Sequence, residues 1–155
     1  LYRSNSLFNQ GPFIEETIRS VALQGYPNLE YMIFDGGSTD ETVAIIEKYD
    51  GVIDYWESKS DRGHGHAVNK GYGRATGDIV ASLNSDDIYT PGALLRVGKA
   101  FMDSPGCASV SGKMRLETLN HETINVKRPH FTKTTDHKAP WQANGLQVKA
   151  KPPSD

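Results

Sequence analysis

A chain of 155 residues, 37% hydrophobic and 23% charged, has the size and composition of one polar globular domain, long enough to bury a sizeable core. Its formal net charge of −2 argues against a nucleic-acid partner, which requires a basic excess. The single cysteine, Cys107, excludes an internal disulfide and a cysteine-rich zinc site, and it fits a reducing compartment.

The first helix is expected to begin near Pro12, a residue favoured in a first turn. Glu15 and Glu16 suit its positive end, and Ile14, Ile18, Val21 and Ala22 form an apolar stripe. Gly25 and Pro27 stop it. Tyr31–Met32–Ile33–Phe34 is an unbroken apolar run and reads as a strand buried on both faces. It ends at Asp35, where Gly36 and Gly37 turn the chain, and Ser38 with Glu41 forms a capping-box pattern. The helix that follows runs to about Tyr49, with Val43, Ile46 and Tyr49 facing inward.

Residues 52–56 are predicted as the next strand, followed by a polar loop from Ser58 to His66 and a short helix carrying Ala67, Val68 and Tyr72. A further strand, Ile79 to Leu83, runs straight into Asn84–Ser85–Asp86–Asp87. Thr90 is expected to cap a helix that Pro91 opens and that places Leu94, Leu95, Gly98, Phe101 and Met102. Cys107 to Val110 is a candidate strand. No periodicity is evident beyond Met114, and the charged, proline-containing tail from Lys149 to Asp155 is expected to be mobile. The short alternation of strand and helix signals over residues 1–106 is the pattern of an α/β domain with a parallel sheet.

Residues 1–106 carry 9 Lys and Arg against 15 Asp and Glu, whereas residues 107–155 carry 8 against 4. An acidic first part that takes an anionic ligand needs a metal ion or backbone amides to offset repulsion. No apolar run approaches the roughly 20 residues that span a bilayer, and no signal-peptide pattern is present. The chain has no initiator Met and is expected to start inside a longer reading frame.

Ligands of open α/β sheets sit beyond the carboxyl ends of the strands. Asp35 and the pair Asp86 and Asp87 fall at such ends, and Asp61 lies in the loop after the second strand. Each can equally be a turn-former or a cap. Together they favour a site, and adjacent carboxylates at a strand end suit Mg²⁺ or Mn²⁺, which use one or two protein carboxylates with substrate phosphates. His64 and His66 make a poor zinc site without further ligands and are expected on a flexible loop near the ligand. The dinucleotide, P-loop and nucleophile-elbow fingerprints are all missing.

The segments Phe8–Asn9–Gln10–Gly11, Gln24 through Tyr31, Asp35–Gly36–Gly37–Ser38–Thr39–Asp40, Asp61–Arg62–Gly63, Asn69–Lys70–Gly71, Ala75–Thr76–Gly77–Asp78 and Leu83 through Asp87 follow one another in a specific order and spacing. In this they resemble the family 2 glycosyltransferases of the GT-A fold, over about residues 8–106. The resemblance implies a Rossmann-like, mostly parallel sheet flanked by helices, here incomplete. Residues 1–106 would be the nucleotide-sugar-binding half and residues 107–155 a divergent remainder of the same domain.

It further implies a metal-dependent, inverting transfer from a nucleotide diphosphate-sugar, usually a UDP-sugar, to a hydroxyl acceptor. Cell-surface polysaccharide or glycolipid synthesis at the cytoplasmic face of a membrane, with peripheral association, is the usual setting. Asp35 would accept a hydrogen bond from the base, Asp61 would help hold the nucleoside, and Asp86 would bind the Mg²⁺ or Mn²⁺ ion. Asp87 would support that site or contact the sugar, and Asn84 stands where many members have the first Asp of D-x-D. The resemblance also has gaps. Leu7 replaces a small hydroxyl residue, and residues 1–6 lack an apolar first strand, which would leave an exposed sheet edge. No catalytic base is placed in residues 107–155, where Asp136 qualifies by residue type alone. The competing readings are a non-catalytic nucleotide-sugar-binding module, a phosphotransferase, which would need an Asp where Asn84 stands, and a truncated product with no stable function.

Overall fold

The computed structural model of the chain describes residues 2–112, 116–117, 123–124 and 147–150. A six-stranded sheet runs in the order β3-β2-β1-β4-β8-β5, built from β1 (Tyr2–Leu7), β2 (Glu30–Asp35), β3 (Tyr55–Ser58), β4 (Ile79–Ser82), β5 (Ser109–Ser111) and β8 (Gln147–Ala150). The first four are parallel, whereas β8 is antiparallel to both β4 and β5. A separate antiparallel pair joins β6 (Leu116–Glu117) to β7 (Thr123–Ile124).

Residues 2–7 are a strand after all, and not an edge but an inner one. β1 pairs with β2 from Tyr2↔Glu30 to Leu7↔Asp35 and with β4 from Tyr2↔Val80 to Ser4↔Ser82. The ladder is a backbone property, so a polar segment can occupy an inner position once strands on both sides supply partners. The predicted tail is corrected in the same way: Lys149 and Ala150 belong to β8, paired with Val80 and Ile79. Residues 151–155 lie outside the described residues.

The run Tyr31–Phe34 is buried throughout and splits by alternation. Tyr31 and Ile33 join the larger core cluster with Ile14, Ile18 and Val21 of α1 (Gly11–Ala22), Ile46 of α2 (Thr42–Lys48), and Leu94 and Val97 of α4 (Ala93–Met102). Met32 and Phe34 face the other way and meet Ala67 of α3 (His64–Arg74), Ala75 and Val80. The sheet is thus a middle layer with α1, α2 and α4 on one face and α3 on the other.

Several local expectations shift. Ala22 is exposed, and Thr17 takes the inward place in the α1 stripe. Leu94, Val97 and Gly98 face the core from α4, leaving Leu95 half exposed and Met102 three-quarters exposed. Gly98 keeps this contact close, because a Cβ there would stand 2.8 Å from the Tyr26 hydroxyl. Thr90 caps nothing with its side chain: Gly92, at φ +70, precedes the helix, and Thr90 Oγ1 accepts from the Arg96 guanidinium instead. β3 starts at Tyr55 because the turn after α2 continues through hydrogen bonds from Val52 and Ile53 to the Tyr49 carbonyl. α3 begins at His64, inside the expected loop, once Gly63 has turned the chain at φ +96. No described helix is long and apolar enough to cross a membrane.

Candidate functional site at the carboxyl rim of the sheet

Sheet order, not sequence order, defines the rim. The chain lays down β1, β2 and β3 in one direction and then returns past β1 to add β4, so the order reverses between β1 and β4. Such a reversal leaves a crevice beyond the strand ends where ligands bind. The sequence-predicted residues fall into two groups on this rim: Asp35 and Asp61 after β2 and β3, and Asn84, Asp86 and Asp87 after β4.

Leu7, Phe8, Gly36, Asp61, Gly63 and His64 line an open cleft of about 450 Å³ in the first group. Gly36 shapes its floor: its N–H donates to the Leu7 carbonyl, and a Cβ on it would lie 3.2 Å from that oxygen and 3.8 Å from Asp61 Oδ1. Asp61 is half-buried and accepts the Gly63 N–H at 2.7 Å. That bond shapes the entry to α3 and leaves Asp61 Oδ2 without a partner among the described residues. His64 enters the cleft from the first turn of α3, not from a flexible loop. Among the described residues no three His, Cys, Asp or Glu side chains are grouped to hold a metal.

Asp35 is only 2% exposed. Its Oδ2 accepts the Gly37 and Ser38 N–H groups and the Ser58 hydroxyl, and its Oδ1 accepts the Ser38 hydroxyl. A carboxylate offers about four lone-pair sites. Four donors from its own chain converge on it, three on Oδ2 and one on Oδ1, and Asp35 ties the Gly36–Ser38 turn to the end of β3. The Ser38 hydroxyl also accepts the Asn9 N–H, Thr39 N–H donates to Asn9 Oδ1, and Asp40 takes the Gly11 and Thr42 N–H groups. The loops after β1 and β2 are thereby knitted together. The capping box is corrected accordingly: Ser38 is spent on Asp35, and Asp40 satisfies the amide that begins α2.

The second group sits on an exposed turn. Asp87 N–H donates to the Asn84 carbonyl, and Asn84 Nδ2 donates to Asp87 Oδ2 at 3.1 Å. Asp86 is exposed, and its carboxylate has no protein partner among the described residues. This donor set fits a hard divalent cation that keeps water and takes a substrate phosphate, with Asp86 as the protein ligand and the Asn84–Asp87 pair beside it. Behind the turn, Thr17, Ser20 and Gln24 of the α1 side hold residues 85–94 by side-chain to backbone hydrogen bonds. Sequence reasoning missed these three, and the signal was a polar residue inside an amphipathic stripe. Asp136 lies outside the described residues, and no described residue is assigned as a catalytic base.

The sequence profile described as Glycosyl transferase family 2 matches residues 6–147, reaching well past Gly106, where the recognisable motifs end. Among curated relatives, the putative teichuronic acid biosynthesis glycosyltransferase TuaG of Bacillus subtilis is 34% identical over 110 residues, covering 68% of this chain and 43% of its own. Poly-beta-1,6-N-acetyl-D-glucosamine synthase of Staphylococcus epidermidis is 27% identical over 111 residues, covering 70% and 27%. The solved structure of S. aureus TarS 1-349 superposes with a TM-score of 0.59 at 28% identity, covering 70% of this chain and 34% of that one. The same protein has been solved in complex with UDP and with UDP-GlcNAc. The match spans only 32% of the length of the first curated relatives, about a third of each. Profile, relatives and superposition agree with the observed sheet, and the chain belongs to glycosyl transferase family 2, with the GT-A fold.

Proposed function

We propose that this chain is the donor-binding part of an inverting glycosyltransferase. It would move a sugar from a UDP-sugar to a hydroxyl acceptor during cell-surface polysaccharide or glycolipid synthesis, at the cytoplasmic face of a membrane. The observation that carries the reading is Asp86: an exposed carboxylate, unpartnered among the described residues, across the β1–β4 reversal from a cleft bounded by Asp61. The TarS complexes with UDP and UDP-GlcNAc support the donor class, and the names of the two bacterial relatives support the product class.

In this reading Asp61 and the walls of the cleft hold the nucleoside, Asp86 holds Mg²⁺ or Mn²⁺, and Asn84 and Asp87 brace the turn. The bound ion would stabilise negative charge on the departing diphosphate as a Lewis acid. As the acceptor oxygen bonds to the anomeric carbon, the bond from that carbon to the diphosphate breaks, and the acceptor proton passes to a carboxylate base.

Calorimetry of UDP binding with and without Mn²⁺, on wild type and Asp86→Ala, tests the donor site. The expected result is Mn²⁺-dependent binding that Asp86→Ala abolishes. A folded wild type that binds no UDP overturns the reading.

A further inference from the structure

Thr17 is completely buried on the core face of α1, among Ile14, Ile18 and Val21. A hydroxyl in such a place costs free energy unless it is hydrogen-bonded, and an aliphatic residue would fill the volume as well. Threonine in a helix commonly turns its hydroxyl back to its own preceding turn. Here Oγ1 donates outward, to the Ser85 carbonyl at 2.7 Å and to the Asp87 carbonyl at 3.0 Å. One proton shared between two carbonyls grips the chain immediately before and immediately after Asp86. Ser20 stands three residues on along the same helix, and Gln24 follows in the turn just past its end. Ser20 Oγ accepts the Tyr89 N–H, while Gln24 donates to the Thr90 carbonyl and accepts the Leu94 N–H. The grip therefore continues past the turn to the start of α4.

The Asp86 carboxylate has no partner of its own among the described residues, so its aim is set by the backbone on either side. We infer that Thr17 is a positioning residue for Asp86, holding the turn so that the carboxylate meets the cation that accompanies a nucleoside diphosphate. The inference rests on the donor-site reading above. Thr17 touches neither ligand nor ion; it acts through the Ser85 and Asp87 carbonyls.

Thr17→Val keeps shape and removes the hydroxyl, whereas Thr17→Ser keeps the hydroxyl. UDP affinity is measured by calorimetry in the presence of Mn²⁺, and uridine binding by ligand-observed magnetic resonance, since uridine has no diphosphate to engage the ion. A misplacement of about 1 Å in a site can cost up to about a hundredfold. Thr17→Val is expected to weaken Mn²⁺-dependent UDP binding by about tenfold, leave uridine binding within about twofold, and have its defect removed in Thr17→Ser. If Thr17→Val does not fold, Thr17→Ala against Thr17→Ser provides the same comparison. Full UDP affinity in the variant, equal losses for UDP and uridine, or a Thr17→Ser protein as weak as Thr17→Val each overturns the inference alone. A folded wild type that binds no UDP with Mn²⁺ overturns the donor-site reading and the inference with it.

Discussion

Two aspartates with the same side chain occupy opposite situations on one rim. Asp35 is buried under four donors, while Asp86 is exposed and unpartnered among the described residues. Asp35→Asn keeps the size but turns an amide toward backbone N–H groups and hydroxyls that need acceptors. Hydrogen bonds to a charged acceptor contribute about 1.5–3 kcal/mol, and leaving buried donors unmet costs a similar amount. Urea unfolding of Asp35→Asn is expected to show a loss of about 2–3 kcal/mol. Asp86→Asn is expected to leave stability within about 0.5 kcal/mol, as surface changes do, while removing Mn²⁺-dependent UDP binding. Both positions were legible as strand-end carboxylates. Their difference was not, because the Ser58 hydroxyl that helps bury Asp35 comes from a neighbouring strand 23 residues away.

Elements are fastened by polar contacts where their apolar faces are thin. α3 buries only Ala67, Val68 and Gly71 and carries glycines at 65, 71 and 73, a weak helix on propensity alone. Lys70 reaches Glu57 of β3 at 2.7 Å, and the Arg74 guanidinium lies 3.7 Å over the Tyr55 ring. The hydrogen bond from Lys70, with Lys59 adding to it, holds the Glu57 carboxyl below its ordinary 4.5. A depressed carboxylate contributes stability that is full above the unfolded value and fades as pH falls through the folded one. The wild type is therefore expected to lose about 1 kcal/mol of stability from this pair on acidification from pH above 4.5, and Lys70→Met to lose less over the same range. Urea midpoints measured across that range check the difference. At α4, a methyl on Gly98 would meet the Tyr26 hydroxyl, and Gly98→Ala is expected to cost about 1–3 kcal/mol in the same assay. Helix positions were largely legible from periodicity. The facing of α4 was not, since Leu94, Leu95, Phe101 and Met102 permit two adjacent stripes, and contact with Tyr26 and Gln24 selects one.

Across the whole molecule the two faces of the sheet are unequal. Among the described residues, thirteen buried ones form the cluster under α1, α2 and α4, against five under α3, so burial stabilises the first face more. Local opening follows buried apolar contact. Amide exchange is expected to show the α3 amides opening at lower free energy than those of α1, and equal protection in the two helices would contradict this ordering. The same asymmetry places the cleft, lined by Asp61, Gly63 and His64, beside the less firmly held helix, while the Asp86 turn is anchored to the firmer face through Thr17.

The sequence by itself determined the α/β class, the strand that carries Tyr31–Phe34, the family, and the set of acidic residues at strand ends. Those are local properties: an apolar run long enough to be buried, turn residues at set offsets, and motifs in order. Tertiary structure decided the inner place of the polar β1, the joining of residues 147–150 to the sheet, the burial of Asp35, and the grip of Thr17 on the Asp86 turn. Each of these depends on a partner distant along the chain. A backbone ladder or a buried hydroxyl leaves no periodic mark, because what satisfies it is supplied only when strands and helices come together in space.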